Sequence, residues 1–155
     1  MDIDEVPAMN KTKNTLDPEI RKTITSLLNQ QLASTMHLAL QAKQAHWNIK
    51  GPNFIALHEL FDEVANHLRE YSDDIAERAV QLGGFAQGTL AAIEEKSVLP
   101  HYPGDLTTER EHVDKFTHHL AQLGGEIRES IAHAENTGDA DTADLFTEIS
   151  RGIDK

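Results

Sequence analysis

Five side chains that can bind a metal ion occur in the first half of the chain at spacings that suit a helix surface. His58 and Asp62 are four residues apart, as are Asp73 and Glu77, so each pair would share one helix face. His46 precedes them. One such pair alone is usually part of a solvated surface. Imidazole and carboxylate ligands without thiolate suit Fe(II), with Zn, Co or Mn as substitutes, whereas calcium and magnesium prefer oxygen ligands throughout.

The helix that would carry four of these residues is indicated by an apolar stripe in alternating three- and four-residue steps. The stripe consists of Phe54, Leu57, Phe61, Val64, Leu68, Tyr71, Ile75, Ala79 and Leu82. On a helical wheel of about 100° per residue, the four candidate ligands centre roughly 150° away from this stripe. They are therefore predicted to point out of the core of their own bundle.

The length of this helix separates the two pairs. His58 and Glu77 would lie roughly 28 Å apart along the axis, and Asp62 and Asp73 roughly 16 Å apart. One ion cannot reach both pairs, because its bonds to nitrogen and oxygen are only about 2.0–2.2 Å long. A second copy lying antiparallel across a two-fold axis would bring one pair beside the other pair of its partner, and would create two equivalent sites. His46 lies before a Gly51-Pro52 turn and can fold back towards His58.

The remaining periodicity predicts an all-α chain with a ferritin-like four-helix bundle and a long crossover containing a short helix. Residues 17–155 would form this single domain, and residues 1–16 a mobile arm. Asp17-Pro18-Glu19 is typical of a helix start, and Thr107 or Thr108 of another. The first helix would end near His46 or Trp47, the short crossover helix would cover 89–95, and the last helix would follow Gly138-Asp139. A bend or a close helix contact is expected at Gly124-Gly125.

Composition narrows the function classes. The 155 residues carry a net charge of −12 and no cysteine, which excludes disulfides and thiolate metal sites. The sequence has no apolar run long enough to span a bilayer, and its acidic start is unlike a secretory signal. A cytoplasmic location is expected. Such an acidic surface repels phosphate and attracts cations, although simple solubility explains the charge equally well.

Several runs of sequence closely resemble the Dps miniferritins, within the ferritin-like superfamily. They are Gln44-Ala45-His46-Trp47-Asn48, Leu57-His58, Phe61-Asp62-Glu63, Asp73-Asp74-Ile75-Ala76-Glu77-Arg78, Gln81-Leu82-Gly83-Gly84 and Asp139-Ala140-Asp141-Thr142-Ala143-Asp144. The resemblance implies that His46, His58 and Asp62 of one subunit bind iron together with Asp73 and Glu77 of its two-fold mate. It also implies a hollow homododecamer that oxidises Fe(II) with hydrogen peroxide, or O2, stores ferric mineral and limits oxidative damage.

Other residues receive secondary roles. Glu59, Glu63 and Glu70 lie beside the ligand face and are interpreted as cavity-lining nucleation residues, with exposed solubility charges as the alternative. In the resembling family the start of the last helix lines three-fold iron pores, which makes Asp141, Asp144 and Glu148 the pore candidates. Asp141 could instead stabilise the helix dipole. Trp47 resembles a tryptophan near the iron site, and an interface packing role is equally open.

The sequence leaves two rival functions to consider. A DNA-binding, nucleoid-compacting shell is disfavoured because residues 1–14 carry Lys11 and Lys13 against three acids, a net charge of −1. Weak or absent DNA binding is expected at physiological salt. A di-iron site inside the bundle needs two Glu-x-x-His motifs, and only Glu109-x-x-His112 fits. The short predicted last helix also suggests a truncated C-terminus.

Overall fold

The structure is a computed structural model that describes residues 8–155. Its helices are α1 (Pro18–Asn48), α2 (Phe54–Gln81), α3 (Leu90–Lys96), α4 (Glu109–Thr137) and α5 (Ala140–Ile153). The described residues contain no strand, which confirms the all-α prediction. Residues 1–7 of the predicted mobile arm lie outside the described part, and the mobility of the arm stays a prediction.

The helix boundaries follow from local capping chemistry. The Asp17 side chain accepts a hydrogen bond from the Glu19 amide, and Pro18 begins α1. Thr108 and Glu111 form a reciprocal capping box at the start of α4. Thr89 caps α3, so the short crossover helix begins within a residue of its predicted position. These caps satisfy amides that have no partner inside the helix.

Two antiparallel helix pairs make the bundle: α1 packs along α2, and α4 packs along α5. The α3 helix lies in the connection between the pairs and packs on α1. Phe61 of α2 meets Phe116 of α4 edge to face, with ring centroids 5.3 Å apart. Gly124 allows the expected close helix contact, since a Cβ there would lie 3.3 Å from the Ile153 side chain of α5. The predicted ferritin-like bundle with one long crossover is confirmed.

A buried ion pair fixes the end of α2 to the start of α5. The Arg78 guanidinium lies 2.8 Å from the Asp139 carboxylate, and its Nε donates to the Thr142 hydroxyl at 2.9 Å. The same carboxylate accepts from the Thr142 amide and so caps α5. Asp139 is only 2% exposed, so its charge depends on these partners rather than on water.

Within residues 8–155, no helix combines the length and the apolar character needed to cross a membrane.

Candidate metal centre

His46 and His58 meet where α1 ends and α2 begins. Their rings stack, with centroids 3.6 Å apart and planes 19° apart. His46 Nδ1 lies 2.7 Å from the His58 carbonyl oxygen, and His58 Nδ1 lies 2.8 Å from the His46 carbonyl oxygen. The hairpin between the two helices thus lets each backbone hold the ring of the other residue. Phe54 stacks on His58 at 4.9 Å and completes a row of three rings.

These reciprocal contacts decide which nitrogen of each ring is free. A carbonyl oxygen can only accept a hydrogen bond, so both Nδ1 atoms must carry the proton and donate it. In the neutral ring this leaves the lone pair on Nε2 of both histidines. Metal-binding histidines commonly donate from one nitrogen to the protein and coordinate through the other. The neutral forms of His46 and His58 are therefore held in a tautomer in which Nε2 can coordinate a divalent cation.

Asp62 stands one helical turn beyond His58 and is paired with Lys43 of α1. The Lys43 ammonium lies 2.5 Å from Asp62 Oδ1. That hydrogen bond, helped by the charges of Lys43, His46 and Arg69, lowers the pKa of the Asp62 carboxyl below its usual value. The Asp62 carboxylate is therefore ionised at neutral pH, as a metal ligand must be. A bound cation and the ammonium would compete for the same oxygen.

Asp73 and Glu77 form a separate exposed pair further along α2. Neither side chain makes a hydrogen bond or an ion pair with any other described residue. Asp73 lines an apolar groove between α1, α2 and α3, together with Met36, Leu40 and Leu90. Leu40 and Leu90 are 50% and 77% exposed, which is unusual for leucine side chains that lie together. The Asp73 end of α2 is thus surrounded by apolar surface that no other part of the described chain covers.

The predicted ligands are therefore brought together only in part. His46, His58 and Asp62 line one open depression, and Asp73 and Glu77 line others. Among the described side chains of a single subunit, no three His, Asp or Glu residues are arranged to hold one ion. The helix geometry accounts for the distance between the two pairs, which is more than a metal ion can span. On the histidine side, the Asp62 carboxylate is engaged by the Lys43 ammonium instead.

The secondary candidates fall on two exposed surfaces. Glu59, Glu63 and Glu70 share the depression that holds His58 and Asp62. The pore candidates Asp141, Asp144 and Glu148 are all exposed on α5. Asp141 and Glu148 line a second depression, which also contains Glu77 and Asp74 of α2. Trp47 is 67% exposed, with the Lys43 ammonium 5.8 Å from its ring. The positions are compatible with the interpreted roles, which remain predictions.

The Glu109-x-x-His112 motif is occupied by structural contacts. The Glu109 carboxylate accepts hydrogen bonds from the Asn53 amide and side chain, and so caps the start of α2. His112 Nδ1 is 2.9 Å from the Tyr102 hydroxyl. A di-iron site inside this bundle therefore finds no support in the described residues.

Lys43 is the site residue that sequence reasoning missed. The sequence does contain a signal for it. If His46 faces His58 across an antiparallel hairpin, then the residue one turn before His46 faces the residue one turn after His58. That rule places Lys43 beside Asp62, as the structure does.

Comparison with known proteins extends these observations. Residues 25–155 match the family model of the ferritin-like domain. The DNA protection during starvation protein of Agrobacterium fabrum is 44% identical over 146 residues, which cover 94% of this chain and 90% of that protein. Among solved structures, Mycobacterium smegmatis Dps has a TM-score of 0.89 and 28% identity, covering 95% of this chain and 88% of its own. Dps from Microbacterium arborescens, in a high iron form, has a TM-score of 0.83 and 28% identity, covering 95% and 92%.

Proposed function

Because this chain belongs to the Dps family of ferritin-like proteins, we propose that it oxidises Fe(II) at sites shared between two subunits and stores the ferric product. Iron storage and protection from oxidative damage are general functions of that family, and iron is its expected metal. The finer assignment concerns which residues of this chain bind the iron and how two copies complete each site.

The observation that carries the proposal is the division of the ligands into two halves on one long helix. One half, with His46, His58 and Asp62, presents two free imidazole nitrogens and an ionised carboxylate. The other half presents two exposed carboxylates, Asp73 in the lining of the uncovered apolar groove and Glu77 in the neighbouring depression. A second copy on that groove would cover its leucines and bring the two halves together.

The donor set fits iron. Two neutral imidazoles and up to three carboxylates offer nitrogen and oxygen ligands with no thiolate, and leave coordination positions for an oxidant. Zn, Co or Mn would occupy the same ligands without the same redox reaction. Fe(II) is the substrate and gives up one electron per ion, so two ions reduce one hydrogen peroxide, or O2 acts as the oxidant. The residues of this chain bind, orient and hold the ions.

Acidic residues of α5 and α2 would deliver iron to the site and store the ferric product. Asp141, Asp144 and Glu148 would line the pores of a dodecamer, and Glu59, Glu63 and Glu70 would begin mineral growth on its inner surface. Asp141 and Glu148 share a depression with Glu77, so cations gathered by the pore acids would arrive beside a ligand of the metal site.

Mixing two inactive variants tests whether each site spans two subunits. One variant carries His58→Ala and Asp62→Ala, and the other carries Asp73→Ala and Glu77→Ala. Each should lose rapid Fe(II) oxidation. After unfolding and joint refolding at equal amounts, half of the dimers are mixed and each contains one intact site of two. About one quarter of the native rate should therefore return.

A matched control removes two carboxylates, as the Asp73 and Glu77 substitutions do, but leaves the proposed ligands intact. Glu129→Ala with Glu135→Ala removes two exposed carboxylates from α4 and should oxidise Fe(II) at the native rate. If the mixed refolding restores no activity while native protein refolded in parallel does, the shared site is refuted. If either of the two variants, refolded alone, keeps the native rate of Fe(II) oxidation, the ligand assignment itself is wrong.

DNA binding is the second candidate function, since the Agrobacterium relative is named for DNA protection. The net charge of −12 per chain opposes binding to phosphate. We propose that protection acts through iron and peroxide removal rather than through a DNA complex. A mobility-shift assay at low ionic strength should show no tight complex, and a salt-resistant complex would contradict this.

A further inference from the structure

A hydrogen-bond network centred on Gln41 fastens the crossover to both helix pairs. Gln41 of α1 is 3% exposed, and its amide nitrogen donates to the Pro100 carbonyl at 2.9 Å. The same nitrogen lies 3.1 Å from His37 Nε2, and the amide oxygen lies 2.6 Å from His119 Nδ1 of α4. His37 Nδ1 in turn lies 2.8 Å from the Ser97 hydroxyl. These five residues are called the Gln41 clasp below.

The chemistry of the amide fixes the direction of every hydrogen bond in the Gln41 clasp. The amide nitrogen can only donate, so His37 Nε2 must accept and carry no proton, which leaves the proton on Nδ1. The amide oxygen can only accept, so His119 Nδ1 must donate. Rotating the amide by half a turn would set its oxygen against the Pro100 carbonyl, so that two acceptors faced each other. The clasp therefore closes in one arrangement, and only while His37 is neutral.

Protonation of His37 would put two donors against each other, since Nε2 would then face the amide nitrogen across 3.1 Å. The groups that face His37 are His101 of the crossover, Glu94 of α3 and His119 of α4. Burial, and then the neighbouring His101, lower the pKa of His37, while Glu94 acts in the opposite direction. The native packing thus favours the neutral ring that the clasp requires.

His119 stands in a similar setting at the other end of the amide. It is 2% exposed, and the groups that face it are Lys115 and His118 of its own helix, His37 of α1 and Tyr102 of the crossover. Burial, followed by the charge of Lys115, lowers the pKa of His119. Both ends of the Gln41 clasp therefore resist protonation.

The position of the crossover matters for the apolar groove. The α3 helix contributes Leu90 and Ile93 to the lining of the groove, which also includes Asp73 of α2. Ser97 and Pro100, two of the residues bound by the clasp, follow directly after α3. Val98 keeps hydrogen bonds to Ser34 of α1 and Gln122 of α4, so release of Ser97 and Pro100 would loosen the end of α3 rather than detach it. Such loosening would change the surface that a second copy is to cover.

We propose that the Gln41 clasp is an acid-sensitive fastening of the crossover, which opens when His37 is protonated and thereby weakens the subunit contact that completes the metal site. The part of this inference that concerns the metal site depends on the proposed function, whereas the opening of the clasp does not. Because the pKa of His37 is lowered in the folded state, the stabilisation is complete above the unfolded value of about 6.5 and is lost as pH falls through the lower folded value.

Hydrogen–deuterium exchange of the metal-free protein between pH 7.5 and 5.0 tests the opening. After correction for intrinsic rates, residues 97–102 should lose protection by about tenfold per pH unit between about pH 6.5 and the lower folded pKa of His37, and protection should level off below that pKa. The variant His37→Asn with His119→Asn keeps a nitrogen donor in place of each Nδ1, loses the acceptor that His37 Nε2 offers to Gln41, and cannot titrate. Its protection in this segment should not change with pH. His118→Asn, an exposed neighbour on α4, should behave as the native protein does.

Three results would overturn the opening of the clasp. The first is protection of residues 97–102 in the native protein that stays constant down to pH 5.0. The second is a loss of protection with falling pH that is as large in the double variant as in the native protein. The third is a loss that is spread evenly over α1, α2 and α4. Nitrogen-15 spectra of the native histidines supply a test without substitutions, since His37 protonation and loss of protection must share one midpoint. Sedimentation velocity over the same pH range addresses the subunit contact. Dimers that persist after the clasp has opened would refute that link, whether or not the protein oxidises iron.

Discussion

Replacement of Asp139 tests how far one buried carboxylate holds the two helix pairs together. In Asp139→Ala, Arg78 loses its partner at 2.8 Å while its side chain is 11% exposed. Breaking a buried ion pair from one side costs about 3–5 kcal/mol, because a charge remains without compensation. Loss of the α5 cap alone costs about 1 kcal/mol. Asp141, 4.0 Å from Arg78 and 88% exposed, can replace only part of the contact.

The free energy of unfolding should therefore fall by about 3–5 kcal/mol in urea titrations followed by circular dichroism. Asp139→Asn removes the negative charge but keeps an oxygen that can accept from the Thr142 amide. The loss of unfolding free energy should therefore be smaller in Asp139→Asn than in Asp139→Ala. Asp141→Asn is the matched control and should change stability by less than about 0.5 kcal/mol. A loss of only about 1 kcal/mol in Asp139→Ala would refute the reasoning, since the cap alone explains it.

Three further changes have definite expected outcomes. Lys43→Gln removes the cation that competes for Asp62, so Co(II), followed by its absorption spectrum, should bind roughly tenfold more tightly; unchanged affinity would show that the ammonium does not compete. In a 295 nm absorbance titration Tyr102 should not ionise near pH 10, because burial raises its pKa to about 12; Tyr71 should ionise later than a free tyrosine, because burial raises its pKa as well. Since the unfolded value is about 10, the free energy of unfolding should decline from pH 10 towards pH 12. Phe146→Ala empties a fully buried position and should cost about 3–5 kcal/mol in urea titrations.

Much of the fold could be predicted because its signals are local. A helix start depends on residues within one turn, and the first-turn chemistry at Asp17 and Thr108 is visible in the sequence. The apolar stripe also predicts correctly which face of α2 is buried. Phe54 is the exception: its spacing places it in the stripe, but it is 41% exposed, because it is the first residue of α2 and stacks on His58.

The contacts that the sequence did not reveal join residues far apart in the chain. Gln41 meets Pro100 and His119, which follow it by 59 and 78 residues. A glutamine in a helix and a histidine in another have no periodic pattern that marks them as partners. The sequence by itself indicates only surface or packing roles for His37 and His119. Their directed hydrogen bonds depend on how the crossover crosses α1 and α4, which periodicity alone does not determine.

The exchange of hydrogen bonds between His46 and His58 makes the two positions depend on each other. If His46 is lost, the ring of His58 keeps a carbonyl to donate to but loses the imidazole against which it stacks, and the converse holds as well. The cost of the double substitution should therefore be much less than the sum of the single costs. During evolution, a lineage that lost one of these imidazoles would have little left to preserve the other, so the two are expected to persist or to disappear as a unit.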